Sequence, residues 1–345
     1  MTITELPIST HERVVHIQDL PGGLSALIAI HSTARGPAAG GLRMREYASF
    51  DDALVDVLRL SHGMTLKNAA ADLALGGGKA VIIGNVATQK TPELLEAFGE
   101  AVDTLGGAYR TAEDMGMTPD DMAIIARKTP YVAGLPGASG DPSPITARGV
   151  FLSMQVAAKH RFGSTDLAGK RVAMQGLGHV GMHLADMLHE AGAELIVTDV
   201  SEEALDEAVV AFNAKVVGLD EIYSQDVDIF APCAIGAVLN EATIPTLTCK
   251  MVCGAANNLL AAPEDGDRLA ARNILYAPDF VANGGGIINA TPEILGEAQG
   301  PEWLEGKLQA LAANLDAILT EAAKTGLPPH VVAEQLVEEK VTLAA

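Results

Sequence analysis

The stretch from Arg171 to Asp199 constrains this chain more than any other. It reads RVAMQG, then LGHVG, then a helical segment, then ELIVTD. An apolar strand enters a turn carrying Gly176, Gly178 and Gly181, the turn opens a helix, and a second strand ends on an acid. Glycines at this spacing allow a tight turn and close approach of a pyrophosphate to the helix N-terminus, whose dipole and free N–H groups suit an anion. The pattern predicts an open parallel sheet that binds a dinucleotide through Gly176, Leu177, Gly178, His179, Val180 and Gly181. The bland alternative is a glycine-rich strand–helix turn that binds nothing. The acid about 20 residues on, Asp199, argues against that, because it can accept hydrogen bonds from a ribose diol. His179 is read as a packing or solvent-facing residue, not as a chemical group.

Asp199 also bears on which dinucleotide binds. Its carboxylate would repel a 2′-phosphate, and Val200, Ser201, Glu202 and Glu203 bring no cation to offset that repulsion. NAD is therefore expected over NADP.

Around this motif, strands and helices alternate. Helices are expected at 146–160, at 179–191 and from Ser201, with further strands in VDIFAP (227–232), MVCGAA (251–256) and NILYAP (273–278). The first third is mixed. VVHIQD (14–19) and LSALIAIHS (24–32) read as a hairpin around Pro21-Gly22-Gly23. Ser49 and Asp52 open a helix through DALVDVLRLSHGM, AVIIGN (80–85) is a short strand, and Thr91-Pro92 starts a helix that ends at Gly106-Gly107. GLPGASGDPSP (134–144) is dense in turn formers and marks a domain boundary. At 345 residues the chain exceeds a single core of ~250–300. The expectation is an α/β protein of two domains. Residues 1–140 form a substrate domain, with helices in 320–345 packing back on it. Residues 141–319 form a doubly wound, Rossmann-type NAD-binding domain, and the active site lies in the cleft between the two.

A net charge of −21 makes nucleic acid and anionic membrane surfaces unfavourable partners. MTITELPIST has neither a basic nor an apolar leader region, and no run of ~18 apolar residues occurs. The three cysteines, Cys233, Cys249 and Cys253, are too few and odd in number for a disulfide framework, which points to a reducing cytoplasm. Cys249 and Cys253 lack further ligands at metal-site spacing, so no metal is expected.

Residues 73–84, LALGGGKAVIIG, look at first like a phosphate loop. Leu73 stands where the first loop glycine is needed, and Ala80 has no hydroxyl for magnesium, so that reading fails. Lys67 and Lys79 lie twelve apart with strand-like and glycine-rich sequence between them, and Asp114 follows in TAEDMGMT. Two lysines and an acid near a nicotinamide suit an amino-acid substrate. One ammonium can bind the carboxylate, while the other, its proton affinity lowered by a cationic neighbour and by desolvation, can act as a base. The plainer readings are solvated surface lysines and an Asp114 that caps a helix.

Taken together, GPAAGG, GGGK, EDMG, DPSPITARGV, QGLGHVG, APCAIGAVL, CGAANN and APDFVANGGGIIN resemble the Glu/Leu/Phe/Val dehydrogenase superfamily, specifically its branched-chain and phenylalanine members. The resemblance spans nearly the whole chain. It implies reversible oxidative deamination of an L-amino acid to a 2-oxo acid and ammonium with NAD, by a homo-oligomer. It assigns Lys67 to the substrate carboxylate, Lys79 to activation of water and Asp114 to proton transfer. By the same resemblance Ala39, Gly40, Gly41 and Met64 line the side-chain pocket, and Asn258 helps hold the substrate. Thr146, Cys233, Ala234, Ala255, Asn257 and Asn283 lie near the nicotinamide nucleotide, although Asn283 also reads as a simple turn residue. The glycines of GGGK are expected to clear space for substrate and nicotinamide.

Two rivals remain. A glutamate dehydrogenase needs a cation or strong donors at the far end of its pocket, yet Ala39, Ile287 and Ala290 at the resembling positions are apolar. A non-catalytic NAD-binding regulator would be expected to lack one of Lys67, Lys79 and Asp114, and all three are present. The apolar positions favour a bulky apolar substrate of the Leu, Val, Ile or Phe type.

Overall fold

A computed structural model describes residues 1–138 and 140–344. Ser139, in the expected boundary stretch, and Ala345, at the end of the expected packing-back segment, lie outside the described residues. The chain divides into two compact units. One takes Met1–Gly140, Ala290–Gln299 and the chain from Glu338; the other takes Asp141–Asn289 and Gly300–Val337.

The first unit holds a six-stranded mixed sheet of β1 (Thr2–Glu5), β2 (Arg13–Asp19), β3 (Leu24–Ser32), β4 (Ala38–Arg45), β5 (Gly76–Ile83) and β6 (Tyr109–Glu113) in the order β1-β2-β3-β5-β4-β6. Strands β1, β2, β3 and β5 pair antiparallel, whereas β4 runs parallel to both β5 and β6. Helix α1 (Phe50–Ala70) covers one face, where Ala53 and Val57 pack with Val14, Leu27, Ala29 and Val81. A short α2 (Val86–Gln89) follows β5, and α3 (Pro92–Asp103) and α4 (Pro119–Ile125) cover the other face through Leu94, Leu95, Phe98 and Met122.

Local signals set several of these ends. Ser49 Oγ accepts from the Asp52 N–H at 3.1 Å and starts α1. Thr91 does the same for α3, and Thr118 with Asp121 forms a full capping box on α4. Asp114 therefore does not cap α4. Helix α1 runs past the expected DALVDVLRLSHGM and carries Lys67 in its last turn, because Thr65, Leu66, Asn68 and Ala69 continue its buried face.

The glycine-rich AAGGLR and GGGK lie in strands β4 and β5, not in loops. Glycine has no intrinsic strand preference, so neighbours rather than propensity hold them in the sheet. A Cβ on Gly77 would overlap the Thr65 backbone N and Oγ1, and one on Gly78 would come 2.8 Å from the Tyr109 ring. Asn68 Nδ2 donates to the Gly76 carbonyl at 2.6 Å. The glycines let α1 and Tyr109 close onto β5. That role differs from the space-clearing expected of them.

The second unit begins with α5 (Ser143–Phe162), then β7 (Arg171–Gln175), α6 (His179–Glu190), β8 (Glu194–Thr198), α7 (Glu202–Phe212), β9 (Lys215–Val216), β10 (Ile229–Pro232), β11 (Met251–Val252), α8 (Glu264–Ala271) and β12 (Leu275–Tyr276). Its strand order is β12-β11-β10-β7-β8-β9, with every pair parallel. This is the doubly wound dinucleotide-binding topology, its order reversing beside β7. Then come α9 (Asp279–Ala282), α10 (Gly285–Leu295), α11 (Pro301–Thr325) and α12 (Pro329–Thr342). Helix α11 packs on α5 and buries Leu308, Leu311, Leu315 and Leu319. That burial keeps 300–337 with the second unit, so the segment 320–345 does not pack back whole on the first. Residues 290–299, read from the sequence as part of the nucleotide domain, cluster instead with the first unit, where the Leu135 N–H donates to Glu293 Oε1 at 2.9 Å. No helix among the described residues is long and apolar enough to cross a membrane.

Candidate active site and nucleotide cradle

Alternation along β5 puts Lys79 on the α1 face of the first sheet, two residues before Val81. Its side chain is 7% exposed, and Nζ lies 2.8 Å from Asp114 Oδ2, just beyond the end of β6. Burial lowers the proton affinity of Lys79, and the Asp114 carboxylate only partly restores it. Burial would raise Asp114, but the Lys79 ammonium, the Arg43 guanidinium and the Met115 N–H outweigh it and hold the carboxyl below its ordinary range.

Arg43 was given no role by the sequence reading. Its Nε donates to Asp114 Oδ2 and its Nη1 to Asp56 Oδ2, each at 3.1 Å. Tyr47 Oη donates to the same Asp56 oxygen at 2.8 Å. Arg43 also acts on Lys79 as a nearby cation. Strand β4 places Arg43 in register with Val81, on the face of Lys79, a pairing that no spacing along the chain signals.

The other positions assigned to the amino acid fall in two sets. Lys67 and Met64 lie on α1, half-buried. Gly40 and Gly41 are buried in β4: a Cβ on Gly40 would overlap the Gly78 carbonyl and come 3.1 Å from Met64 Cγ, and one on Gly41 would come 2.8 Å from Asp114 Cβ. Ala39 is 0% exposed, within β4 between Gly77 and Arg110, so it is not an open wall. Ile287 and Ala290 are half-buried on α10, three residues apart and so on one side of it.

In the second unit the glycine turn is built as expected. Gly176 takes φ +101°, and a Cβ there would come 2.7 Å from Ala234 Cβ. Gly178 faces open space at the start of α6, and that N-terminus has no side-chain cap. A Cβ on Gly181 would overlap the Gly176 carbonyl, so the helix sits close on the turn. His179 is exposed, Val180 is half-buried and Leu177 is buried. Asp199 Oδ2 accepts from the Leu177 N–H at 2.6 Å and Oδ1 from the Ser201 N–H at 2.8 Å. Asp199 thus ties the end of β8 to the glycine turn.

The remaining positions follow β10 and β11 or flank them. The Cys233 N–H donates to the Gln175 carbonyl at 2.7 Å, and Cys233 is a free thiol. Ala255 is buried, whereas Asn257 and Asn258 are exposed, Asn258 at φ +52° with its carbonyl accepting from the Ala237 N–H at 2.7 Å. Asn283 is more than a turn residue. Its Nδ2 donates to the Ala255 and Ala256 carbonyls and to Asn257 Oδ1, bracing the CGAANN loop. Its Oδ1 is buried without a partner among the described residues. Thr146 Oγ1 donates to the Pro142 carbonyl in α5 at 2.9 Å. Two apolar residues are exposed here: Val200 (85%) beside Asp199 and Ile235 (67%) beside Ala234.

An uncapped helix N-terminus behind a glycine turn, with a carboxylate closing the next strand, fits a nicotinamide dinucleotide. A buried lysine–carboxylate pair stands on the other unit. Together these define a nicotinamide-dependent dehydrogenase. Comparison with known proteins agrees. Residues 11–131 match the model of the Glu/Leu/Phe/Val dehydrogenase dimerisation domain, and 194–342 that of glutamate/leucine/phenylalanine/valine dehydrogenases. Residues 147–235 match the NAD binding domain of D-isomer specific 2-hydroxyacid dehydrogenases. The chain is 46% identical to the leucine dehydrogenase of Bacillus subtilis over 334 residues, 96% of this chain and 91% of that one. It is 43% identical to the phenylalanine dehydrogenase of Caldalkalibacillus thermarum, covering 99% and 94%. The solved L-tryptophan dehydrogenase from Nostoc punctiforme superimposes with a TM-score of 0.87 at 42% identity, covering 97% of each chain. The chain belongs to the Glu/Leu/Phe/Val dehydrogenase family, and it is an amino-acid dehydrogenase.

Proposed function

We propose that this chain catalyses the reversible oxidative deamination of a bulky apolar L-amino acid to its 2-oxo acid and ammonium, with NAD as the cofactor. The observation that carries the reading is the buried Lys79 ammonium held 2.8 Å from the Asp114 carboxylate. When bound, the nicotinamide supplies the hydride acceptor that turns the substrate amine into an iminium. Lys67 binds the substrate carboxylate. Lys79, its proton affinity lowered by burial, takes a proton from water so that the water attacks the iminium carbon. Asp114 carries protons between Lys79 and the nitrogen as the carbinolamine collapses and ammonia leaves. Met64 and Ala290 on the first unit and Ile287 on the second are apolar, which suits an apolar substrate side chain, and Ala39 acts through the packing of β4.

Asp199 supports NAD over NADP, since a 2′-phosphate would meet its carboxylate with no cation nearby in sequence. Val200 and Ile235 supply apolar surface for an adenine ring. Assembly as a homo-oligomer is supported by the dimerisation-domain description of the family model over 11–131. A cytoplasmic location is supported by three free cysteines.

The test is reduced-nicotinamide absorbance on a panel of Leu, Val, Ile, Met, Phe, Trp, Ala and Glu with NAD+ and with NADP+, run in both directions. Activity led by large apolar amino acids with NAD+ is expected. Activity led by glutamate would overturn the substrate reading, and a preference for NADP+ would overturn the cofactor reading.

A further inference from the structure

We propose that Arg43 is a positioning residue for the Lys79–Asp114 pair: its guanidinium pins Asp114 through one oxygen, is itself pinned by Asp56 and Tyr47, and so holds a fixed cation facing Lys79. The inference rests on the reading of Lys79 as the base.

The geometry is specific. Arg43 Nε and Lys79 Nζ converge on the same oxygen, Asp114 Oδ2, at 3.1 and 2.8 Å. The other end of the guanidinium donates to Asp56 Oδ2, which also accepts from Tyr47 Oη. Arg43 and Asp56 side chains are each 14% exposed, so solvent screens them little. Four charges from four places in the chain thus form one balanced group: Arg43 from β4, Lys79 from β5, Asp56 from α1 and Asp114 after β6. Other charges border it. Arg59 reaches Asp56 Oδ1 at 3.5 Å, Arg45 lies over the Tyr47 ring, and Lys67 stands further along α1. From β3, Lys79 meets only Ala29 in register.

The plain alternative is an ion pair that merely clamps α1 to the sheet. The two readings differ in sign. Removing the Arg43 charge leaves the group net negative, which makes Lys79 keep its proton to higher pH. Removing the Asp56 charge leaves it net positive, which makes Lys79 lose its proton at lower pH. A clamp predicts the same loss from either change and no opposed movement.

The experiment compares R43Q, R43K and D56N with the parent enzyme on the best L-amino acid of the panel, so that the ionisation of the substrate is common to all. The pH dependence of kcat/KM for deamination is read. The limb that rises with pH is expected to move up by about half a unit or more in R43Q and down by a similar amount in D56N. R43K keeps the charge but cannot span Asp114 and Asp56 together, so its limb stays near the parent position while kcat falls and KM for the amino acid changes little. Limbs that stay in place, or that move the same way in R43Q and D56N, overturn the inference. If R43Q does not fold, the direction of the D56N shift decides. Lys79→Ala separates this failure from failure of the underlying reading, because its turnover tests the base itself.

Discussion

Lys79 Nζ and Asp114 Oδ2 are 2.8 Å apart on the face of the sheet that α1 covers. The two are brought together by β5 and the end of β6, which do not pair with each other but flank β4 on either side. Burial favours a neutral amine on Lys79, and the carboxylate opposes that. Burial is the larger influence, so the Lys79 ammonium holds its proton less tightly than an exposed lysine does.

Lys79→Ala is expected to lower kcat by ~10²–10⁴-fold, the usual contribution of an acid–base group. The Asp114 carboxylate keeps Arg43 as a partner in that variant, so the fold and cofactor binding survive. Asp114→Asn should lose activity on the same scale with the shape retained. Steady-state kinetics with circular dichroism checks both, and near-parent turnover in either variant would remove that residue from the mechanism.

Asp199 has two duties with different consequences. As an acceptor it ties the Leu177 N–H, and as a charge it is proposed to oppose a 2′-phosphate. Asp199→Asn removes the charge and keeps an acceptor oxygen. The ratio of kcat/KM for NADP+ to that for NAD+ should rise about tenfold, equivalent to about 1.4 kcal/mol. An unchanged ratio would show that cofactor choice lies elsewhere.

Two glycines near one another in the first unit should respond in opposite ways to the same change. Gly77→Ala drives a methyl into Thr65 and should destabilise by ~1–3 kcal/mol or more through overpacking. Gly63 lies within α1 with open space where its Cβ would stand, so Gly63→Ala should stabilise by about 1 kcal/mol. Denaturant midpoints measure both, and equal effects would contradict the account of why β5 is glycine-rich.

Three histidines meet where α1 crosses β3. His31 Nδ1 and Thr65 Oγ1 are 2.9 Å apart, and the His31 ring lies against those of His11 and His62. Burial, then the nearby His62 and His11, push His31 down to about 4, although Glu12 opposes this. The folded state therefore binds fewer protons than the unfolded one between about pH 6.5 and 4. Stability is complete above the unfolded value and falls as the pH drops through that window. His31→Asn should flatten the fall of Tm over the window, and a Tm profile as steep as that of the parent would sink this assignment.

What short-range physics controls can be read along the chain. The strand–glycine turn–helix–strand run ending at Asp199 is legible because its glycines, its apolar strands and its acid lie in one continuous segment whose local geometry demands them. The starts of α1, α3 and α7 are legible at Ser49, Thr91 and Ser201 for the same reason, since a cap acts within one turn. The family motifs pointed to Lys79 and Asp114 but not to their partners. Long-range packing puts Gly76, Gly77 and Gly78 in a strand, because Thr65, Tyr109 and Asn68 hold them there and glycine carries no pattern of its own. It also joins Arg43, Asp56 and Tyr47 to the lysine–carboxylate pair. Charges brought together by sheet register and by a crossing helix have no fixed spacing along the chain, so no local reading of residues could have found them.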